Sequence, residues 1–560
     1  MLNSAIYRNI KPIYLDGFYI SALLILNPAF VFIAYTPRNF YPDTFAYLAM
    51  ANDLLQNGLL YVPSWGHVDA AVILPPVYPL LIALGSIFTD NLLIFAELLS
   101  SFSGIASTII FYFILREVLG RFFSVLTLLI IQLNYYYFNI SLTPLTEASF
   151  LLALSISYFI ALKVVSGTSD ARNNYAFYLG VACGFTFLTR QIGISLLFFM
   201  LAFILLTSRP IFNRTVIRRS LIILAGWAII FIPYSASLYF QTGTHPFQQH
   251  IKMGQYTISS TDSTVQEEIK LIEDLPVTSY RDIYAKRRLM LKLLPDSSEM
   301  YSSLVTKSDK NISVTELFFE NFRNPISYYK KVLTNFKHLS DVTGEIMMFL
   351  FLISCLSPLV LKYSSDTDLN RLLLPSFILF YLLFISGFTD KIPRYVVPIF
   401  PFCIIHAVSE FYLMANKRCN KIVLSLFFIL FTGIALVSMP QSYRELPVSR
   451  KLYEFQTDYS QIRDNVNGEA MFSFVPYNSY MLGGKFRSMP NDSLDKVAEY
   501  GRKTGVKWIL VNRDSSTLQD LIYYVNLDWY LNPALHDPES RHIKYCCETK
   551  DGLVSVFEIL

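Results

Sequence analysis

The sequence predicts a polytopic α-helical membrane protein that ends in a small α/β domain. Of its 560 residues, 53% are hydrophobic and only 16% are charged, whereas a soluble domain carries about 25% charged residues. The apolar residues are grouped in repeated runs of about 20 residues, the length of helix that crosses a bilayer. Residues 441–560 lack such runs and carry short strand-like and helix-like patterns instead.

Charge and cysteine content exclude several other classes of protein. A net charge of +4 is too small to predict a nucleic-acid partner, and the basic residues lie between apolar runs, where membrane topology explains them. The six cysteines form no disulfide framework, and no Cys-x-x-Cys or Cys/His spacing predicts a metal site. We expect no cofactor: the sequence allows a divalent metal but gives no support for one.

The apolar runs predict about eleven membrane spans. Their approximate limits are 17–36, 91–115, 122–140, 145–165, 175–189, 191–207, 220–240, 345–363, 372–388, 394–415 and 422–439. Two of them, 175–189 and 191–207, are short and are separated by Arg190.

The positions of Lys and Arg predict a cytoplasmic N-terminus, because short cytoplasmic loops carry an excess of basic residues. With about eleven spans, one set of basic residues falls on the cytoplasmic side, and the opposite short loops carry almost none. The cytoplasmic set is Arg8, Lys11, Arg116, Arg121, Arg172, Arg209, Arg214, Arg218, Arg219, Lys362, Arg371, Lys417, Arg418 and Lys421. Residues 441–560 are then expected on the non-cytoplasmic side.

The run 71–88 is apolar but is not counted as a span. Pro75, Pro76 and Pro79 interrupt its first half, and proline is unfavourable inside a helix. Counting it would also invert every later loop and place the basic residues outside. We expect an interfacial segment at the outer surface, continuous with the loop before it.

Two domains follow from this arrangement. Residues 1–440 are predicted to form a transmembrane module with outer loops 37–90 and 241–344. Residues 441–560 are predicted to form an extracytoplasmic α/β domain, because the apolar strand pattern VKWILV follows an amphipathic helical pattern. No cluster in this second domain suggests chemistry, so we expect a binding or structural role.

The first outer loop contains a predicted amphipathic helix that lies on the membrane. Asp43 is placed to cap its N-terminus, and Gly58 is a natural stop. Apolar residues recur between them at near-helical spacing, at Phe45, Leu48, Ala49, Leu54 and Leu55. Taken alone, this pattern favours a simple helix cap at Asp43 over a catalytic carboxylate. Asp53 and Asp69 are interpreted as solvated positions.

Ionisable residues at or inside a membrane are functional candidates, because burying their charge is costly. Four stand out on the predicted outer side: Glu147, Arg190, Lys391 and Arg394. The guanidinium fork of arginine suits a lipid-linked phosphate. The alternatives are that Arg190 and Arg394 pair with Glu147 and Asp390, or extend to the interface.

Several motifs occur in an order that resembles one family. They are Asp43 with Tyr47, Ala51 and Gly58, then Pro75-Pro76-x-Tyr78, Thr146-Glu147, Leu188-Thr189-Arg190, and Arg394-Tyr395 with Pro398. Together they resemble the GT-C glycosyltransferases, and more narrowly the branch that contains protein O-mannosyltransferases and the lipid A aminoarabinose transferase. The likeness covers about 1–240 and 345–440.

The resemblance implies an inverting transfer of a sugar from a polyprenyl-phosphate carrier to a lipid, glycan or protein acceptor on the non-cytoplasmic face. In this family the aspartate of the first loop is the catalytic base, which is Asp43 here. The other implied roles are acceptor contact or second acidic residue for Glu147, donor-phosphate binding for Arg190, Lys391 and Arg394, and support for Tyr47, Tyr78 and Tyr395. Many relatives carry Asp-Glu where this chain has Asp43-Thr44, which weakens the case for a metal or a second carboxylate in this loop.

Three other functions remain as alternatives. A ligase could use a diphosphate-linked oligosaccharide, a transporter could move a lipid or solute without glycosyl transfer, and an assembly protein could present residues 441–560. The compact cytoplasmic loops are typical of a bacterial inner-membrane protein whose active site faces outside.

Overall fold

The computed structural model describes most of the helices and the C-terminal sheet. The described residues are 12–26, 42–58, 75–166, 169–207, 213–242, 256–258, 262–275, 289–297, 300, 305–307, 325–355, 367–387, 393–416, 459, 462, 466, 469–474, 476–513, 527–532, 542–550 and 552–560.

The described part of the chain is mainly helical up to residue 416 and mixed after residue 469. The helices are α1 Pro12–Leu26, α2 Pro42–Asn57, α3 Val77–Leu84, α4 Leu92–Gln132, α5 Tyr135–Leu142, α6 Thr146–Ser166, α7 Ser169–Thr189, α8 Ile194–Thr207, α9 Arg214–Thr242, α10 Ser263–Asp274, α11 Pro325–Thr343, α12 Glu345–Cys355, α13 Thr367–Ser386, α14 Phe400–Asn416, α15 Pro476–Met481, α16 Leu494–Thr504 and α17 Leu527–Leu531. The strands are β1 Tyr256–Ile258, β2 Val305–Lys307, β3 Ala470–Ser473, β4 Lys485–Ser488, β5 Trp508–Asn512, β6 Ile543–Glu548 and β7 Val554–Ile559.

Contacts divide the chain into two compact units. The helical unit consists of Met1–Arg38, Pro75–Phe240 and Phe318–Leu446. The sheet unit consists of Asn39–Leu74, Gln241–Leu317 and Pro447–Leu560. The sequence assigned loops 37–90 and 241–344 to the transmembrane module, so the structural division differs from the predicted one in both loops.

Burial of apolar side chains explains why the two loops join the sheet unit. In the first loop, α2 packs against α15, and the ring centroids of Phe45 and Tyr480 lie 5.8 Å apart. In the second, Leu293 and Met300 share a buried core with Phe557. Because removing apolar surface from water stabilises a fold, the parts of the two loops at 39–74 and 241–317 group with the C-terminal domain, whereas 75–90 and 318–344 stay with the helical unit.

Three of the described helices are long and apolar enough to cross a membrane. They are Leu92–Gln132, Thr146–Val165 and Arg214–Phe240. Shorter apolar helices occupy Tyr14–Leu24, Val77–Ile87, Gln191–Thr207, Arg371–Ser386 and Val397–Leu413. The predicted run 422–439 lies outside the described residues, and the count of about eleven spans stays a prediction.

A kink divides α4. Gly120 has φ 73° and ψ 171°, and a positive φ is accessible to glycine because it lacks a Cβ atom. The kink lies in the gap between the predicted runs 91–115 and 122–140. The sequence therefore located this break correctly.

The predicted single run 122–140 is wrong, because two helices occupy it. The first ends at Gln132, and α5 begins at Tyr135. Between them, Oδ1 of Asn134 accepts a hydrogen bond from the backbone N–H of Tyr136 at 2.9 Å. Asparagine is a favoured N-cap, so it starts a new helix even inside an apolar run.

The segment 71–88 forms a short helix where the structure describes it. Helix α3 spans Val77–Leu84 and continues as a 3-10 turn to Ile87. At about 1.5 Å per residue this length falls well short of a bilayer core of about 30 Å. Its placement at the membrane surface remains a prediction.

Aromatic side chains fill the centre of the helical unit. The ring of Phe402 on α14 packs edge-on against three others, with centroid distances of 5.2 Å to Phe111, 5.4 Å to Tyr158 and 6.0 Å to Phe377. These rings come from α4, α6 and α13. One aromatic side chain thus connects four helices.

Asp16 ties α1 to α4. Its carboxylate accepts hydrogen bonds from Nη1 of Arg116 at 2.5 Å, Nε of Arg121 at 2.7 Å and the hydroxyl of Tyr112 at 2.9 Å. Asp16 itself is buried. From the sequence, both arginines were predicted to be cytoplasmic basic residues. The structure shows that they also bind a buried carboxylate.

The sheet unit contains a five-stranded mixed sheet in the order β4-β3-β5-β7-β6. Strand β3 is parallel to β4 and β5, whereas β7 is antiparallel to β5 and β6. Strand β5 contains the last four residues of the VKWILV pattern and is buried along its length. The amphipathic pattern before it forms α16, whose Val497 and Ala498 lie in the core.

Candidate active site

Glu147 lies in the first turn of α6 in the helical unit. A carboxylate is favoured there because the helix N-terminus carries partial positive charge. The side chain is only 3% exposed, so its charge requires a partner close by. Two arginines supply it.

Arg190 interrupts two helices. Its backbone is extended, with φ −149° and ψ 132°, although its N–H still donates to the carbonyl of Thr186 at 3.1 Å. Gly193 lies so close to the Thr186 backbone that a Cβ atom would come within 2.6 Å. The break between α7 and α8 therefore depends on glycine, and Nη1 of Arg190 lies 2.8 Å from Oε1 of Glu147.

Arg394 reaches the same carboxylate oxygen from a different segment. It belongs to the 3-10 helix Pro393–Tyr395 that precedes α14. Its Nε lies 3.6 Å from Oε1 of Glu147. The three side chains, here called the arginine–glutamate cluster, come from separate parts of the chain and carry a formal charge of +1 together.

Tyr395 packs against both arginines. The guanidinium carbon of Arg190 lies 4.7 Å from the centre of its ring, and that of Arg394 lies 5.8 Å away. The hydroxyl of buried Tyr381 donates to the backbone carbonyl of Tyr395 at 3.0 Å. A ring face attracts a cation, so Tyr395 orients the arginines, and Tyr381 fixes Tyr395.

Exposure increases across the arginine–glutamate cluster. The side chain of Glu147 is 3% exposed, that of Arg190 is 10% exposed and that of Arg394 is 32% exposed. The carboxylate thus lies deepest and Arg394 lies nearest the surface. An anion that approached this cluster would meet a guanidinium before the carboxylate.

The pairing of both arginines with Glu147 was the alternative that the sequence left open, and it is present. The other anion considered, Asp390, lies outside the described residues, as does Lys391. Whether Lys391 joins the cluster therefore stays a prediction.

Tyr78 supports the segment that leads to Glu147. Its buried hydroxyl lies 3.2 Å from the carbonyl oxygen of Ala96 and 3.1 Å from Oγ of Ser100. The Ser100 hydroxyl in turn lies 3.4 Å from the carbonyl oxygen of Leu145, two residues before Glu147. These hydrogen bonds connect Tyr78 to α4, and Ser100 of α4 connects in turn to the residue before α6.

Asp43 lies in the sheet unit. Helix α2 begins at Pro42, so Asp43 is inside the first turn and is not the N-cap that the sequence predicted. Proline suits the first helical position, because its missing N–H would have no helical partner there. The helix ends before Gly58, as predicted, and Gly58 has φ 67°. Asp43 is half-buried.

One face of α2 is buried. Thr44, Tyr47, Leu48 and Ala51 recur at the spacing of one helix face, and the neighbouring Phe45 and Met50 are buried as well. Tyr47, predicted as a supporting residue, is on this face. Leu55, predicted as apolar and helical, lies in line with Leu48 and Ala51 but is exposed in the last turn of the helix.

Sequence analysis missed Tyr381 and the role of Asp16. Both lie in or beside apolar runs. Burying a polar side chain there costs free energy unless it has a partner, so such a residue indicates a polar partner nearby. The same pattern also applies to Glu410 on α14. Its side chain is buried, and its Oε1 lies 3.8 Å from Nε of Arg371. Within the described part of the chain, no group of three or more His, Cys, Asp or Glu side chains could hold a metal ion.

Comparison with known proteins shows that the chain shares its fold with a membrane glycosyltransferase. Residues 74–240 match the family model described as dolichyl-phosphate-mannose-protein mannosyltransferase. The oligosaccharyltransferase of Archaeoglobus fulgidus is 13% identical, with a TM-score of 0.50 over 89% of this chain and 67% of that one. The chain has the GT-C fold. The predicted resemblance to this superfamily is thereby confirmed.

Two further solved structures are similar over almost the whole chain. ArnT from Cupriavidus metallidurans is 12% identical, with a TM-score of 0.43 over 97% of both chains. The mycobacterial arabinofuranosyltransferase AftD is 11% identical, with a TM-score of 0.46 over 98% of this chain and 40% of that one. Among curated proteins, no relative matches the sequence.

The GT-C fold and the apolar helices make this chain an integral membrane protein. The family model and the oligosaccharyltransferase are both named as enzymes that transfer sugars. That is the enzyme class that the sequence predicted.

Proposed function

We propose that the protein is an inverting glycosyltransferase that moves a sugar from a polyprenyl-phosphate carrier to a lipid, glycan or protein acceptor. The arginine–glutamate cluster carries this proposal. It presents two guanidiniums, one of them partly exposed, in a chain whose residues 74–240 match a dolichyl-phosphate-mannose-dependent family. Guanidinium forks match phosphate oxygens.

The chemistry is a single displacement. The acceptor hydroxyl oxygen forms a bond to the anomeric carbon of the sugar, while the bond from that carbon to the phosphate oxygen breaks. The phosphate leaves with the electron pair, and Asp43 takes the hydroxyl proton. One displacement inverts the anomeric configuration and needs no covalent sugar–enzyme intermediate. The departing phosphate needs no general acid.

The arginine–glutamate cluster supplies the electrostatic part. Charge develops on the carrier phosphate as it leaves, and fixed cations stabilise that charge without reorganising. Glu147 holds Arg190 in a defined position, since their ion pair is buried. We propose that Arg190 and Arg394 contact the phosphate, together with Lys391, and that Glu147 positions them and contributes to the acceptor side.

Replacing Asp43 with Asn tests the base. A positioned base contributes about 10²–10⁴-fold to the rate, so Asp43→Asn should lower turnover by at least about 100-fold. The measurement is sugar transfer by purified protein from a panel of polyprenyl-phosphate sugars. Asp53→Asn is the matched control, because Asp53 lies on the same helix, and it should retain near-normal turnover.

Unchanged thermal unfolding should accompany the loss of turnover. Full activity in Asp43→Asn would contradict the assignment of the base. The donor can be identified by mass analysis of the lipid-linked sugar that accumulates in a deletion strain. A diphosphate-linked oligosaccharide there would favour the ligase alternative, and transport across liposomes without transfer would favour the transporter.

The proposal also covers the membrane topology, the cellular location and the metal requirement of the protein. We propose about eleven spans with a cytoplasmic N-terminus, a bacterial inner-membrane location, and an active site and C-terminal α/β domain that face outside. We also propose that transfer needs no divalent metal. The presence of Thr44 where many relatives carry a second acidic residue supports this.

A further inference from the structure

The helix that carries Asp43 is attached to the C-terminal domain. Phe45, two residues after Asp43, is buried, and its ring lies 5.8 Å from that of Tyr480 at an interplanar angle of 51°. Tyr480 belongs to α15, which packs against α2. Burial raises the pKa of the Tyr480 phenol, in keeping with a ring held away from water.

A buried polar network fixes α15 on the sheet. Asn478 of α15 is fully buried. Its Oδ1 accepts from the hydroxyl of Tyr459 at 2.8 Å, and its Nδ2 donates to Oδ1 of Asn512 at 2.6 Å. Nδ2 also lies 3.3 Å from Oγ of Ser473. Each of these bonds is made away from water, where a polar group that loses its partner is left unsatisfied.

The network is located at the carboxyl ends of two parallel strands. Ser473 is the last residue of β3, and Asn512 is the last residue of β5. These strands are hydrogen-bonded neighbours. Asn478 therefore connects α15 to both strands at once, and α15 cannot shift without breaking these bonds.

We propose that the C-terminal domain is a positioning device for the proposed catalytic base. The chain of contacts runs from the ends of β3 and β5 through Asn478 to α15, and from Tyr480 to Phe45 beside Asp43. This inference rests on the proposed role of Asp43 and gives residues 441–560 a function in the reaction. Tyr480 and Asn478 are positioning residues and are not catalytic ones.

The proposal predicts a specific kinetic defect. A misplacement of about 1 Å can cost about 100-fold in rate. Tyr480→Ala should therefore lower kcat by about 10–100-fold and leave the KM for a polyprenyl-phosphate sugar donor within about twofold. Tyr480→Phe should restore kcat, because the contact with Phe45 uses the ring and not the hydroxyl.

Tyr545→Ala is the matched control. Tyr545 has the same side chain on β6, at the far edge of the same sheet, and should keep kcat near normal. If Tyr480→Ala does not fold, Phe45→Leu tests the contact from the other side and should give the same selective loss of kcat.

Comparison with Asp43→Asn separates the two proposals. An inactive Asp43→Asn with full kcat in Tyr480→Ala and Phe45→Leu would overturn the positioning role alone. A fully active Asp43→Asn would overturn the base, and with it this inference. Equal losses in Tyr480→Ala and Tyr545→Ala would show a general effect on the domain and would also overturn the positioning role.

Discussion

Glu147 is the most deeply buried charged side chain of the candidate site, and its environment defines what it can do. Two guanidiniums lie within 2.8 Å and 3.6 Å of the same oxygen, Oε1. A carboxylate in this position holds the arginines in place. In the sequence it was a candidate acidic residue for acceptor contact, and that role remains part of the proposal.

Removing the charge of Glu147 should destabilise the helical unit. Breaking a buried ion pair by deleting one partner costs about 3–5 kcal/mol, because the other charge stays buried. Glu147→Gln should therefore lower the thermal unfolding temperature in detergent. Glu117→Gln is the control, since Glu117 is 65% exposed and surface pairs contribute about 0–1 kcal/mol. Similar unfolding temperatures for the two variants would contradict a structural role for the cluster.

Two kinds of position shape the helices of this molecule: residues that break a helix, and glycines that let two helices pack closely. Gly120 kinks α4, and Arg190 separates α7 from α8. Gly180 on α7 meets α9 so closely that a Cβ atom would lie 2.0 Å from the carbonyl oxygen of Ile223. Small residues let membrane helices pack backbone to backbone. Gly226 makes the reciprocal approach, with a Cβ atom 2.4 Å from the carbonyl oxygen of Phe177.

A single methyl group at Gly180 should separate these helices. Gly180→Ala must displace backbone atoms, and overpacking of this kind costs about 1–3 kcal/mol. The unfolding temperature of the purified protein in detergent should fall. Gly17→Ala is the matched control, because among the described residues outside its own helix no atom lies within 4 Å of its added Cβ and alanine is the better helix former. An unfolding temperature in Gly180→Ala at or above that of Gly17→Ala would be inconsistent with this contact.

At the scale of the whole molecule, the chain divides into a helical unit and a sheet unit. The sheet unit gathers α2, the segment 289–300 and the C-terminal strands. All three were predicted to lie on the non-cytoplasmic side. The predicted topology therefore puts these three stretches on the same side of the membrane, and this placement stays a prediction.

Thiol labelling checks that topology. In intact cells, a membrane-impermeant maleimide should label a variant that retains only Cys546, which is exposed on β6. A variant that retains only Cys419 should react after permeabilisation only, because Cys419 lies in a predicted cytoplasmic loop. Labelling of Cys419 in intact cells, or protection of Cys546, would show that the number of spans or the orientation is wrong.

Local patterns in the sequence were enough to find most of the elements. Arg190 between two apolar runs, Gly58 at a helix end and VKWILV as a strand all reflect preferences that act within a few residues. The prediction of a single helix over 122–140 was wrong because hydropathy does not detect an N-cap such as Asn134. The helical fold class and the resemblance to the GT-C glycosyltransferases also followed from the sequence, since apolar runs and the order of motifs are properties of the chain itself.

Only the tertiary structure decided which distant side chains meet. Glu147, Arg190 and Arg394 are far apart in the chain, and their convergence on one carboxylate oxygen depends on how α6, the α7–α8 break and the segment before α14 pack. The attachment of Phe45 to Tyr480 likewise crosses more than 400 residues. Helix and strand preferences act locally, whereas burial of charge and apolar surface selects among packings of the whole chain. Residue identity therefore determined the candidates, and packing determined their partners.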